Sequence, residues 1–316
     1  MVNQKSVWSG LLCIGGAHLD RKAMSQTTVR LGSSNPAVTI ETCGGVARNV
    51  AEAVARLGER VSLVSRVGRD RIGERVIMGT KRAGVDVQYV DISPTARTGT
   101  YTALIDANGE LVVSFADTMI YEEMTVAWIE PRWPLIASAA LVFLDTNLPE
   151  QTLQYVIGRC RREQIPVCVN LVSAAKAPKA KAHLEGLEML FSNLEEAEAL
   201  TGKPIGSPAE AETAANSLLE RGVKQVFLTL GEQGVICASA TELLRWPATA
   251  AAVVDATGAG DAFVAGVLVQ WMRGTVGAEA VRFGLAMAQL ALQTVDNVAC
   301  DLSFERIQQQ LRGESA

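Results

Sequence analysis

The sequence predicts an α/β fold, a mostly parallel sheet with helices on both faces and a small β-lid attached to it. Short apolar runs alternate with longer stretches at helical spacing, the pattern of buried parallel strands and their crossover helices. Two stretches break that rhythm and read as β-structure of another kind. The chain has 316 residues, 48% of them hydrophobic, which is enough for one large α/β domain and an appendage.

Taken in order, the first apolar run, 11–14, reads as a strand closed by Gly15-Gly16. Residues 24–42, rich in Thr, Ser and Val with a Ser33-Ser34-Asn35-Pro36 break, carry little helical signal. A helix is predicted over 46–57, a strand over 61–64 and a helix over 74–83. Residues 99–114 read as a hairpin around the turn Ala107-Asn108-Gly109. Strands follow at 141–144, 167–170, 189–191, 226–230 and 235–238, with helices at 151–163, 194–200 and 210–221. The turn Gly258-Ala259-Gly260-Asp261 then opens an apolar helical stretch, 262–272. The core is therefore expected over 1–23, 43–98 and 115–316, and the lid over 24–42 and 99–114. Two ordinary surface excursions would give the same pattern as a lid.

Composition removes several classes. A net charge of −5 offers no basic face for a nucleic-acid polymer, so a nucleic-acid-derived substrate would have to be small. Six cysteines form no C-x-x-C pair, and His18 and His183 lie far apart, against a zinc site. Cys13, Cys160, Cys168 and Cys237 lie in apolar stretches and read as reduced core residues. No apolar run approaches the roughly 20 residues of a membrane span, and no secretory signal is visible, so the expectation is cytoplasmic.

Four constellations carry chemistry. At Gly258–Asp261, N–H groups converge at a helix start, where an anion is stabilised and an acid would stand beside a bound phosphate. A helix-capping Asp reads the same way. At Gly44-Gly45, the glycines allow close approach to a ligand, and Asn49 supplies donors and an acceptor for hydroxyls. Asp20, after the first strand, falls where ligands of open parallel sheets gather. Asn193 and Glu196, one helical turn apart, point at one metal–phosphate group or form a capping box. Thr229, Gly231 and Gly234 make a glycine turn at a strand end that suits a nucleotide. There is no G-x-x-x-x-G-K-[ST], and no G-x-G-x-x-G follows the first strand, which disfavours P-loop and Rossmann readings.

Together these residues resemble the ribokinase (PfkB) family of carbohydrate and nucleoside kinases. One family signature matches at Gly44, Gly45, Asn49, Ala51, Gly58 and Gly68, and the other at Asp255–Asp261, with Ala256 departing from it. His18, Asn170 and Phe191-Ser192 are further departures. Within the family the sequence is most similar to the pseudouridine kinases, through Ser34-Asn35-Pro36, Arg48, Leu171-Val172-Ser173-Ala174, Asp296-Asn297 and Asp301-Leu302-Ser303.

The resemblance implies that Asp261 is the catalytic base and that Gly258, Ala259 and Gly260 form an anion hole. It places the acceptor on Asp20, Gly44, Gly45 and Asn49, with Asp117 and Thr118 as weaker candidates. ATP would lie on Thr229, Gly231, Gly234 and Asn193, Mg²⁺ near Glu196, and potassium at Asp255 and Thr257. It also implies a sugar or nucleoside substrate and a homodimer through the lid. A ribokinase-like sugar kinase or another nucleoside kinase is the alternative, and a non-catalytic sensor is the alternative of another class.

Overall fold

Residues 10–248 and 253–313 are described by the computed structural model. The first strand, β1 (Leu11–Ile14), is wholly buried. The chain leaves it for β2 (His18–Ser25) and β3 (Ala37–Gly44), then returns through α1 (Val46–Arg56) to β4 (Val61–Gly68). Next come α2 (Arg71–Arg82), β5 (Asp86–Ser93), β6 (Thr100–Ile105) and β7 (Leu111–Asp117). Two short helices, α3 (Val126–Ile129) and α4 (Trp133–Ser138), lead to β8 (Leu141–Asp145) and α5 (Glu150–Arg162). Then follow β9 (Val167–Asn170), β10 (Met189–Asn193), α6 (Leu194–Thr201), α7 (Pro208–Glu220) and β11 (Gln225–Thr229). The remainder is β12 (Val235–Ser239), β13 (Leu243–Trp246), α8 (Ala259–Met272), α9 (Ala278–Ala291) and α10 (Phe304–Arg312).

The strands form a nine-stranded sheet, β13-β12-β11-β10-β9-β8-β1-β4-β5, and a four-stranded one, β3-β2-β6-β7. The large sheet is parallel from β5 to β11, and β12 and β13 join antiparallel at one edge. Its two faces bury separate clusters, because side chains alternate along each strand. Leu11 and Cys13 of β1 pack with α1, α8 and α9. Leu12 and Ile14 pack with α5, α6 and α7 on the other face. The expected α/β architecture with a second small sheet is what forms. Among the described residues no helix is long and apolar enough to cross a membrane.

The small sheet is wider than 24–42 and 99–114. It begins at His18 and runs to Asp117. Asp20, expected after the first strand, does follow β1 but lies inside a further strand, β2, where it is 5% exposed. The reason is compositional. The strand β2 reads His-Leu-Asp-Arg-Lys, with polar residues turned toward the site, so no apolar run announces it.

Candidate active site

The carboxyl ends of β1 and β8 meet at Asp145, the last residue of β8 and fully buried. Its Oδ2 accepts the N–H of Gly16 at 2.8 Å and of Ala47 at 3.0 Å, and Oδ1 accepts the N–H of Asn147 at 2.9 Å. One carboxylate thus fixes the end of β1, the start of α1 and the loop after β8. Close approach there demands glycine at the cap of α1. Gly45 has φ 100°, and a Cβ on it would sit 2.3 Å from the carbonyl oxygen of Gly16.

Arg48, 1% exposed, pairs with Glu52 and donates to the carbonyls of Gly44 at 2.9 Å and Cys43 at 2.7 Å. Beside it, Asn49 donates from Nδ2 to Asp261 Oδ2 at 2.7 Å. That bond joins two constellations 212 residues apart. Asp261 stands in the first turn of α8, capped by Gly258 at φ 86°. A Cβ on Gly258 would lie 2.2 Å from the carbonyl oxygen of Asn297, so the turn is specific to glycine. Burial of its carboxyl is the largest influence on Asp261. Asn49 and Arg48 oppose it, Asp145 and Asp20 reinforce it, and the group is pushed up to about 7.

Asp20 faces the same region from β2. It accepts from Asn297 Nδ2 at 2.5 Å, and His18 Nε2 lies 3.0 Å from its Oδ1. His18 Nδ1 in turn lies 2.8 Å from the Tyr121 hydroxyl. The small sheet therefore supplies one wall of the site and the end of β1 another. Asp117 ends β7, exposed, at the base of the hairpin, with Thr118 beside it.

On the far side of Gly258 a cleft of about 620 Å³ is lined by Thr229, Gly231, Gly234, Ala256, Ala259 and Gly260, with Phe263, Leu285 and Leu292 supplying apolar wall. The glycine turn after β11 and the turn before α8 thus share one cavity. Asn193 and Thr229 are register partners at the ends of β10 and β11. Asn193 and Glu196 form a reciprocal capping box, at 2.8 and 3.0 Å, the structural one of the two expected readings. Burial pushes the Glu196 carboxyl up to about 7. Among the described residues no group of three or more His, Cys, Asp or Glu is arranged to hold a metal ion.

Asp255 is not open. Its Oδ2 pairs with Lys22 Nζ, and its Oδ1 accepts the N–H of Thr257 at 2.8 Å. Lys22 and Asp145 are absent from the residues singled out in the sequence, as is Lys176, whose partly buried ammonium donates to Asn147 Oδ1 at 2.5 Å. Asp145 had a signal, an acid closing an apolar run. Lys22 had none, because its partner is 233 residues away.

Residues 10–302 match the pfkB family of carbohydrate kinases. The pseudouridine kinase of Escherichia coli (strain K12) is 30% identical over 298 residues, covering 94% of this chain and 95% of that protein. Among solved structures, a carbohydrate kinase from Agrobacterium tumefaciens is 33% identical at TM-score 0.82, covering 96% of this chain and 97% of the other. The ribokinase of Arabidopsis thaliana complexed with ribose and ATP shares the fold at TM-score 0.81 and 23% identity, covering 96% and 98%.

Proposed function

The chain belongs to the pfkB family of carbohydrate kinases and is an ATP-dependent sugar or nucleoside kinase, and we propose that it phosphorylates the 5′-hydroxyl of pseudouridine with Asp261 as base. The observation that carries the mechanism is the position of Asp261. It lies between the Asp20 wall and the cleft shared by the two glycine turns, with a carboxyl raised to about 7. A base poised near the working pH can take a hydroxyl proton and still exist ionised. Asn49 holds Oδ2, so Oδ1 is the oxygen that receives the proton. The acceptor oxygen forms its bond to the γ-phosphorus as the bond to ADP breaks, and ADP leaves.

Phosphoryl transfer depends chiefly on positioning and charge stabilisation. The N–H groups of Gly258, Ala259 and Gly260, at the start of a 14-residue helix, would hold the transferring group. Asp20, Gly44, Gly45 and Asn49 would hold the sugar hydroxyls, with Asp117 at the outer edge of the lid. Thr229, Gly231, Gly234 and Asn193 would receive the nucleotide. Mg²⁺ arrives as part of the MgATP substrate, and Glu196, in the first turn of α6 just after β10, is the acid that would face it. ATP as donor argues for a cytoplasmic reaction. Apolar residues exposed on the small sheet support a homodimer through the lid.

Pseudouridine as acceptor rests on the full-length similarity to the Escherichia coli enzyme and on Asn35, Arg48 and Asp296-Asn297. ADP release on mixing with MgATP and a panel of pseudouridine, uridine, guanosine, ribose and fructose tests it. The expected outcome is the highest kcat/KM for pseudouridine. Faster turnover of ribose would replace this reading with a ribokinase-like one, and failure to release ADP with any acceptor would point to a sensor that kept the fold.

A further inference from the structure

Lys22 lies on β2, an interior strand of the small sheet, flanked in register by Ile40 on β3 and Ala103 on β6. Its side chain is 7% exposed, and its ammonium reaches across to Asp255, whose side chain is 20% exposed. Asp255 begins the turn that carries Gly258 and Gly260. Burial alone would raise the Asp255 carboxyl, but Lys22 and the Thr257 N–H outweigh it and hold it below its ordinary value.

The geometry bears on the expected potassium ion. A monovalent cation at Asp255 and Thr257 needs a carboxylate with a free oxygen and no competing charge. Here Oδ2 is matched by an ammonium and Oδ1 by a backbone N–H. A bound cation would either share Oδ2 with Lys22, placing two positive charges side by side, or expel Lys22 and leave its ammonium buried without a partner. Both are unfavourable. The donor set does not fit a free cation.

We propose that Lys22 is a built-in substitute for that cation. It is a positioning residue that fixes the turn before α8 through Asp255 and cancels the Asp255 charge beside the path of the phosphoryl group. The proposal rests on the kinase reading but not on the identity of the acceptor. Two contacts from one strand make the coupling stiff. Lys22 holds Asp255, while Asp20, two residues earlier on β2, holds Asn297, whose carbonyl packs under Gly258. Without Lys22 an uncompensated carboxylate would face an incoming polyphosphate, and the turn would lose one of its anchors.

The test uses the full chain and any acceptor that gives ADP release. Wild-type initial rates in Tris buffer with K⁺, Na⁺ or choline at matched ionic strength are expected to agree within about twofold, since the protein supplies its own cation. Lys22→Met is expected to lose about 10- to 100-fold in kcat, with K⁺ but not choline restoring part of the loss. In Lys22→Met/Asp255→Asn, removal of the orphaned carboxylate returns much of the rate in choline alone. A lysine that merely packed would give losses that add. Wild-type stimulation of severalfold by K⁺ over choline overturns the proposal, as does Lys22→Met turning over in choline at the wild-type rate. If Lys22→Met does not fold, as read by its thermal melt, the wild-type cation series decides alone. A wild-type chain that binds MgATP yet never releases ADP would count against the kinase reading instead.

Discussion

Asp261 is a carboxylate that the fold makes reluctant to ionise. Burial and the nearby Asp145 and Asp20 push it toward the protonated form, and Asn49 and Arg48 pull only partway back, leaving it near 7. For the free enzyme, kcat/KM should therefore rise with pH through about 7 and level off above it. Asp261→Asn should lose about 10²–10⁴-fold in turnover and the acid limb with it. Wild-type turnover in this variant would remove Asp261 from the base role. The same shift has a thermodynamic side. A carboxyl raised in the folded state contributes stability that is complete below its unfolded value of about 4 and is lost as pH rises through 7. Asp261→Asn should thus gain melting temperature over wild type at pH 8, and the gain should shrink toward pH 5. Glu196, raised in the same direction, contributes to the slope in both proteins and cancels in the comparison. Asp261 stood out in the sequence through the family signature that surrounds it, because an acid after Gly-Ala-Gly at a helix start reads equally well as a cap. The signal at Asp145, an acid closing a buried strand, is a common one, and two of its three N–H donors come from distant segments.

At the scale of elements, the main sheet was readable because a strand buried on both faces must be continuously apolar. The strand β1 and the apolar part of β8 match the runs at 11–14 and 141–144. The strand β2 is different: one face meets the site, so it carries Asp20 and Lys22 where a run detector expects Val or Leu. The helix α2 starts earlier than the expected 74–83, at Arg71. Its cap Asp70 accepts the N–H of Gly73 at 2.8 Å, a local bond that hydrophobic spacing does not register. Asn193 and Glu196 form the capping box that was one of the two readings of their spacing. The turn before α8 offers the sharpest test of an element. Gly258→Ala combines φ 86° with a Cβ 2.2 Å from a carbonyl oxygen, so the turn must move. A stability loss of about 1–3 kcal/mol is expected, together with a fall in kcat beyond that of a neutral surface control. Retention of wild-type kcat and melting temperature in this variant would show that the turn tolerates displacement and does not form the anion hole.

Across the whole molecule, the small sheet has two duties. Its residues Asp20 and Lys22 reach into the site, and the same face of β2 continues at Met24 into a row that is apolar and uncovered. Val38, Met24, Ile105 and Leu111 register side by side across all four strands, and Val38, Met24 and Leu111 are 50, 41 and 55% exposed. Phe115 and Val113, 68 and 39% exposed, register with Thr102 and Leu104 and so belong to the opposite face. Scattered apolar residues on a surface need no explanation, but a row spanning a whole sheet is the kind of patch that a partner covers. A second copy of the same sheet is the simplest cover, since a two-fold contact lets one patch serve both sides. The chain, 33.6 kDa, is therefore expected to sediment at twice its own mass. Replacing Val38 and Leu111 together with Glu should shift it to the single mass. Neither residue lines the nucleotide cleft, so kcat at saturating MgATP and acceptor should change little. The acceptor KM should rise, because Asp20 and His18 ride on a sheet that would then be held from one side only. Wild-type sedimentation as a monomer would dispose of the lid dimer, while an unchanged KM in a monomeric variant would show that the sheet is stiff enough alone.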